Sequence, residues 1–132
     1  MASWQLALLV LDETFAVSRL SGDAPIPTWA AAGSFFSVTR TAEELSVVSR
    51  QDLVPDGVRC ERGWRCLRVA GTIPFSAVGV LASLATPLAE AGVSAFAVST
   101  FDTDCLLVKE NDLAAAVEAL QRQGHTVKSR SG

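Results

Sequence analysis

One stretch, residues 64–129, changes its hydrophobic period in an order that few folds accommodate. "WRCLRVAG" (64–71) alternates apolar and polar residues and stops at a glycine, the pattern of a strand. "SAVGVLASLATPLAEAG" (76–92) switches to helical spacing, with Val78, Leu81, Ala85 and Leu88 on one stripe, Ser76 as cap and Gly92 as stop. Pro87 interrupts that stripe and should kink the helix or loosen its last turn, because it removes a backbone donor. "SAFAVST" (94–100) and "DCLLVKE" (104–110) are two strands joined at the neck "STFDTD". "NDLAAAVEALQRQG" then aligns Leu113, Ala116, Val117 and Leu120 on one face, with Asn111 or Asp112 as cap and Gly124 as stop. "HTVKS" is a last short strand.

The order is therefore β-α-β-β-α-β, the α+β ferredoxin-like arrangement of an antiparallel sheet with two helices on one face. The N-terminal half reads as the first part of a similar unit. "WQLALLVL" and "TFAVSRL" are strands around an acidic turn at Asp12 and Glu13, and the prolines of "GDAPIPTWAAAG" allow at most a short helix. "SFFSVTR" and "LSVVSR" form another strand pair joined by "TAEE". We expect two βαββαβ units, an incomplete one over residues 1–60 and a complete one over 61–130, joined in one extended antiparallel sheet. A half-unit alone could hardly bury a core.

Composition removes several function classes. Apolar residues make up 49% of the 132 positions and charged ones 19%, so a packed interior is expected. The net charge is −3 and the basic residues are scattered, which argues against a nucleic-acid partner. The start, "MASWQLALLVLDETF", lacks the basic lead and small-residue cleavage site of a signal peptide and reads as a buried strand. Pro87, Glu90 and Gly92 break the apolar run from 77 to 98, so no membrane span is expected. A cytoplasmic location is the expectation that follows. Cys60, Cys66 and Cys105 form no zinc pattern, and no metal or cofactor is expected. Cys60 and Cys66 either face each other across a hairpin or, in a chain without an export signal, stay reduced.

Four segments carry a resemblance: "FFSVTRTAEELSVVSR", "ERGWRCLRVAG", "GVLASLATPLAEAGVSAFAVSTFDTDCLLVKENDL" and "AVEALQRQGH". Together they resemble the tandem ACT-domain proteins, most closely the small bacterial stand-alone members. Those are related in turn to the ACT pairs of aspartate kinases, and the arginine-sensing CASTOR proteins look like two such units in a row. The resemblance implies a non-catalytic regulatory module that binds a small ligand, most often an amino acid, at an interface between ACT domains. It maps the contacts onto the first strand–helix loop, at Thr72, Phe75, Ser76, Val78, Gly79 and Val80. The rest fall on the facing hairpin, at Ser99, Thr100, Asp102 and Asp104. It also implies that Asp104 matches an aspartate that serves a cationic side chain in the arginine-sensing relatives.

The chemistry of these residues allows two readings at several positions. A helix starting after Ser76 offers N–H groups and a positive dipole end to a carboxylate, or Ser76 merely caps it. Asp102 lies in a joint where an Asx turn is the ordinary role. Asp104 opens a strand, where aspartate is disfavoured, and can hold an ammonium or guanidinium group. Phe75 is either pocket wall or core. Trp29 and Trp64 read as packing residues, and His125, with no nucleophile beside it, makes no case as a general base.

Neither a phosphate-holding arginine nor a CxxC stands in the loop "GTIPFSAVG", and the central strands lack the exposed aromatics of an RNA-binding sheet. With no GxGxxG, P-loop or GxSxG motif either, no enzymatic activity is expected. A homodimer is expected, with one chain giving Phe75 and Ser76 and the other Gly79, Thr100 and Asp104, together with a protein effector not named by the sequence. The alternative is an ACT-fold assembly protein that binds no ligand.

Overall fold

The computed structural model describes residues 4–129. The expected start of the N-terminal strand at residues 1–3 and the expected domain limits at residues 1 and 130 lie outside the described residues. Seven strands and two α-helices follow one another: β1 (Ala7–Ser21), β2 (Ser37–Arg40), β3 (Glu44–Arg50), β4 (Arg59–Val69), α1 (Val80–Glu90), β5 (Ala95–Ser99), β6 (Asp104–Lys109), α2 (Leu113–Arg122) and β7 (Thr126–Ser129). The chain forms two compact units, one running through Asp12 and resuming at Arg65, the other Glu13–Trp64. No helix among the described residues is long and apolar enough to cross a membrane.

In the first unit the strand order is β7-β1-β4-β6-β5. The hairpin β5–β6 is antiparallel, with Ser99 opposite Asp104 and Ala95 opposite Val108. β7 pairs with Ala7–Val10 of β1 in parallel, a departure from the antiparallel pairing expected. Leu8 and Val10 of β1, Leu67 and Val69 of β4, and Leu106 and Val108 of β6 alternate onto one face of the sheet. Leu84 and Leu88 of α1 and Ala116 and Leu120 of α2 pack against that same face, so both helices lie on one side, as the periodicity implied.

The apolar face of α1 differs from the expected stripe. Val80, Leu84, Pro87 and Leu88 are buried, whereas Val78, Leu81 and Ala85 are exposed. In an alanine- and leucine-rich run several stripes satisfy helical spacing, and packing against the sheet selects among them. The helix continues through Pro87 to Glu90. A residue at 87 would ordinarily donate its N–H to the carbonyl of Ser83, and proline has none. His125 fills that gap: its Nε2 lies 3.0 Å from the Ser83 carbonyl oxygen. Its Nδ1 accepts the Leu6 N–H at 3.0 Å, which assigns the proton to Nε2. The ring is 3% exposed and is satisfied at both nitrogens.

In the second unit the order is β2-β3-β1, antiparallel throughout, with Phe15 opposite Arg50 and Ser21 opposite Glu44. Its interior holds Phe15, Ala16, Ala30, Leu45, Val47, Val48 and Val54. Phe35 stands edge-on to Phe15 with ring centres 5.4 Å apart. After Pro27 the chain makes only a 3-10 turn, Thr28–Ala31, as the prolines dictate.

Two sequence expectations are corrected. Asp12 and Glu13 make no turn; β1 runs through them unbroken from Ala7 to Ser21. Pairing with β7 ends at Val10 and pairing with β3 begins at Phe15. At this change of partner Arg65 donates from Nη2 to the Leu11 carbonyl at 2.9 Å, while Asp12 stays exposed to water. The hairpin pairing of Cys60 with Cys66 is also excluded. Both lie on β4, six residues apart, which at about 3.3 Å per residue is roughly 20 Å. A disulfide needs Cα atoms within about 7 Å. None of the three cysteines is in a disulfide. Cys66 instead donates its thiol to Cys105, and that hydrogen bond holds the Cys105 thiol below its ordinary pKa against the opposing effect of burial.

The His125 junction yields a prediction. His125→Leu strands a part-buried carbonyl and a part-buried N–H and should lower stability by about 2–4 kcal/mol in urea unfolding. Adding Pro87→Ala to that variant restores a donor for the Ser83 carbonyl and should recover about 1 kcal/mol. A double variant no more stable than His125→Leu would contradict the role given to the imidazole.

Candidate ligand-binding site

The loop from β4 to α1 and the tip of the β5–β6 hairpin enclose an open cavity of about 310 Å³ in the first unit. Six of the ten expected residues line it: Phe75, Gly79, Val80, Ser99, Thr100 and Asp104. Thr72, Ser76, Val78 and Asp102 do not. Ile73, Pro74, Ala77, Leu81, Phe101 and Thr103 complete the wall, and all but Leu81 lie within the loop 72–80 and the hairpin tip 99–104 to which the resemblance points. One chain brings Phe75, Gly79, Thr100 and Asp104 together, where the sequence reading divides them between two protomers.

Backbone ties hold the two halves together. The Ile73 N–H donates to the Asp102 carbonyl at 2.6 Å, so Asp102 acts through its main chain. Thr103 donates its hydroxyl to the Val69 carbonyl at 2.7 Å, which fixes the hairpin to the end of β4. Within the tip, the Thr100 N–H bonds to the Thr103 carbonyl at 2.8 Å, and the Thr103 N–H returns to the Thr100 hydroxyl at 3.1 Å. These exchanges satisfy the turn without using either aspartate side chain.

The helix begins later than the sequence suggests. Ser76 is not its cap; Gly79 is, at φ +83°. A left-handed residue at this point turns the loop into the first helical turn, which a glycine does at low cost. The Ser83 N–H makes the first intrahelical bond, to the Gly79 carbonyl at 2.9 Å. The N–H groups of Val80, Leu81 and Ala82 therefore have no acceptor within the helix. Val80 and Leu81 line the cavity, so the positive end of the α1 dipole opens onto it.

In the hairpin part of the wall stands Asp104, half-buried at the start of β6. Its Oδ1 accepts the Ser99 hydroxyl at 2.7 Å, which orients the group across the hairpin. No lining residue carries a positive charge, so the cavity has an anionic side and a dipolar cationic end. Its lip is apolar and open: Phe75 and Phe101 meet edge to face at 4.8 Å, yet are 76% and 78% exposed. Among the described residues no group of three or more histidine, cysteine or acidic side chains could hold a metal ion.

The comparisons with known proteins bear on this geometry. Residues 59–122, which contain the whole cavity wall, match the ACT domain family. A solved structure of protein Atu0741 from Agrobacterium tumefaciens is 38% identical, covers 97% of this chain and 96% of its own, and superposes with a TM-score of 0.92. This chain belongs to the ACT-domain family.

It is related to the cytosolic arginine sensor for mTORC1 subunit 1 of Homo sapiens, 41% identical over 61 residues, which are 46% of this chain and 18% of that protein. The chain thus matches a fifth or less of the length of these curated relatives. The fold is also that of the regulatory subunit of aspartate kinase from Thermus thermophilus, at a TM-score of 0.59 and 14% identity over 85% of this chain and 94% of that one. The family resemblance read from the sequence is therefore correct.

Gly79 supplies a test of the local geometry. No atom lies within 4 Å of a Cβ built on it, so the space is open and only the backbone angle objects. Gly79→Ala should therefore cost about 1–2 kcal/mol by thermal or urea unfolding, the penalty of a left-handed non-glycine residue. A neutral substitution would mean that the entry to α1 is not held in this conformation.

Proposed function

We propose that this chain is a non-catalytic regulatory module whose cavity between the β4–α1 loop and the β5–β6 hairpin binds a free amino acid. The observation that carries the reading is the presence of two poles in the wall of one small cavity. The acceptor-free N–H groups at the start of α1 suit an α-carboxylate. The Asp104 carboxylate suits an ammonium or guanidinium group. The sensing role named for the arginine-sensor relatives and the regulatory role named for the aspartate kinase subunit support the same reading. The relation to the arginine sensor favours a cationic side chain at Asp104, with the α-ammonium of any amino acid as the alternative occupant.

A second copy of the chain is the natural cover for the lip. Phe75, Val78, Leu81 and Phe101 form one exposed apolar group around the cavity mouth, and burying it in a homodimer would exclude water from the two poles. Ligand binding and pairing would then support each other, and a protein effector would read the paired state.

Thermal unfolding in the presence of each of the twenty amino acids tests the proposal. A ligand present at about a hundred times its dissociation constant adds roughly 2.7 kcal/mol, a rise of several degrees in midpoint. One amino acid, or a small cationic set, should give that rise, and Asp104→Ala should abolish it. If no amino acid shifts the midpoint, the assembly protein without a ligand becomes the better reading.

A further inference from the structure

We propose that Trp4 and His125 are positioning residues for the ligand site: they brace the amino end of α1 and so set how tightly its N–H groups hold a ligand. The inference rests on the amino-acid reading above but concerns residues that take no part in the cavity wall.

The start of α1 needs bracing. The loop before it is largely exposed, and glycines in the left-handed region stand at both Gly71 and Gly79. Its side chains Phe75 and Val78 are 76% and 85% exposed, so between Ile73, which packs on the core, and the buried Val80 packing does little to locate it. Two hydrogen bonds from elsewhere locate it instead. The indole Nε1 of Trp4 donates to the Val78 carbonyl at 2.8 Å, one residue before the Gly79 cap. His125 Nε2 donates to the Ser83 carbonyl, and Ser83 in turn bonds the Gly79 carbonyl through both its N–H and its hydroxyl, each at 2.9 Å. The cap is thus gripped on its two sides.

Both grips come from one short segment. Leu6, two residues after Trp4, donates its N–H to His125 Nδ1 and accepts the Thr126 N–H at 2.9 Å. Between them Gln5 runs so close to Gly124 that a Cβ there would lie 2.9 Å from its side-chain nitrogen. Residues 4–6 therefore form a strap tied to the end of α2 on one side and to the start of α1 on the other. Oriented N–H groups stabilise an anion only when they are held in line before it arrives, so the strap acts on affinity through preorganisation.

Trp4→Phe is the decisive variant, because it removes one donor from a side chain that is 38% exposed and leaves the core intact. In the ligand-free chain, hydrogen exchange at the Ser83 amide should quicken about fivefold, the worth of one part-exposed hydrogen bond, with β6 amides unchanged. The dissociation constant for the amino acid that stabilises the wild type should rise by about the same factor, with the ligand-free unfolding midpoint nearly unmoved. Equal exchange at Ser83 in variant and wild type would overturn the strap whether or not an amino acid binds. So would faster exchange spread evenly over β6 and α1, which marks a general loss of stability. A wild type that binds no amino acid would remove the amino-acid reading alone, since the exchange comparison still decides the strap.

Discussion

The first unit turns on one buried imidazole that stands in for a missing peptide N–H. Pro87 sits inside α1 and leaves the Ser83 carbonyl without its helical donor. A carbonyl shielded from water in that state costs about 1–3 kcal/mol, and this one is part-buried. His125 supplies the donor from the turn after α2, and its other nitrogen takes the N–H of Leu6 just before β1. One side chain thus joins three segments that are far apart in the chain. The same turn leads into β7, whose parallel ladder with Ala7–Val10 continues the connection begun at Leu6. Because the ring is satisfied at both nitrogens, it serves structure and offers no spare site for chemistry.

That junction explains why α1 can continue through Pro87 at its buried end and stay open at its other. The face that meets the sheet, Val80, Leu84, Pro87 and Leu88, fixes the helix axis. The first turn needs no side-chain cap, since Gly79 turns the chain by its backbone angle alone. N–H groups that a serine or aspartate would have satisfied stay available at the cavity. The hairpin opposite follows the same economy. Its tip is closed by Thr100 and Thr103, leaving Asp104 held only by Ser99. Local polar groups satisfy the frame, and the two poles of the cavity are left over.

Much of this was legible in the sequence where punctuation is local. Gly92 and Gly124 close the helices as their positions suggest, and the paired strands β5 and β6 fall within a residue or two of their apolar runs. The loop and the hairpin were found together through family resemblance, which no periodicity could have supplied. What stayed hidden depends on distant partners. The Asp12–Glu13 pair looks like a turn, because nothing nearby reveals that β1 changes partner from β7 to β3 there. Ser76 looks like a cap because its chemistry fits, although the chain needs three more residues to reach the helix. His125 looks idle because its two partners lie 42 and 119 residues away. Leu81 reads as part of the apolar stripe of α1 because its spacing fits one, although it is exposed and lines the cavity.

The electrostatics of the cavity bear on how selectivity would arise under the proposed function. An ion pair between Asp104 and a ligand cation in an open, wet cavity is worth only about 0–1 kcal/mol, the range of surface pairs. The Ser99 hydroxyl already occupies one lone pair of Oδ1, so a ligand gains most by approaching the other oxygen. The helix dipole adds about 0.3–1 kcal/mol while exposed. Such sums reach weak affinities at best and hardly separate one amino acid from another. Both contributions grow when water is excluded, since the same charges then interact at lower effective dielectric. The structure has the means for that exclusion at the rim, where Phe75 and Phe101 stand exposed in mutual contact. A cover that buries these rings would raise ligand affinity, and by linkage a bound ligand would favour the cover to the same degree. Under the proposed function, an amino acid would be reported through what closes over the cavity, and the weakness of the uncovered poles would make the report conditional.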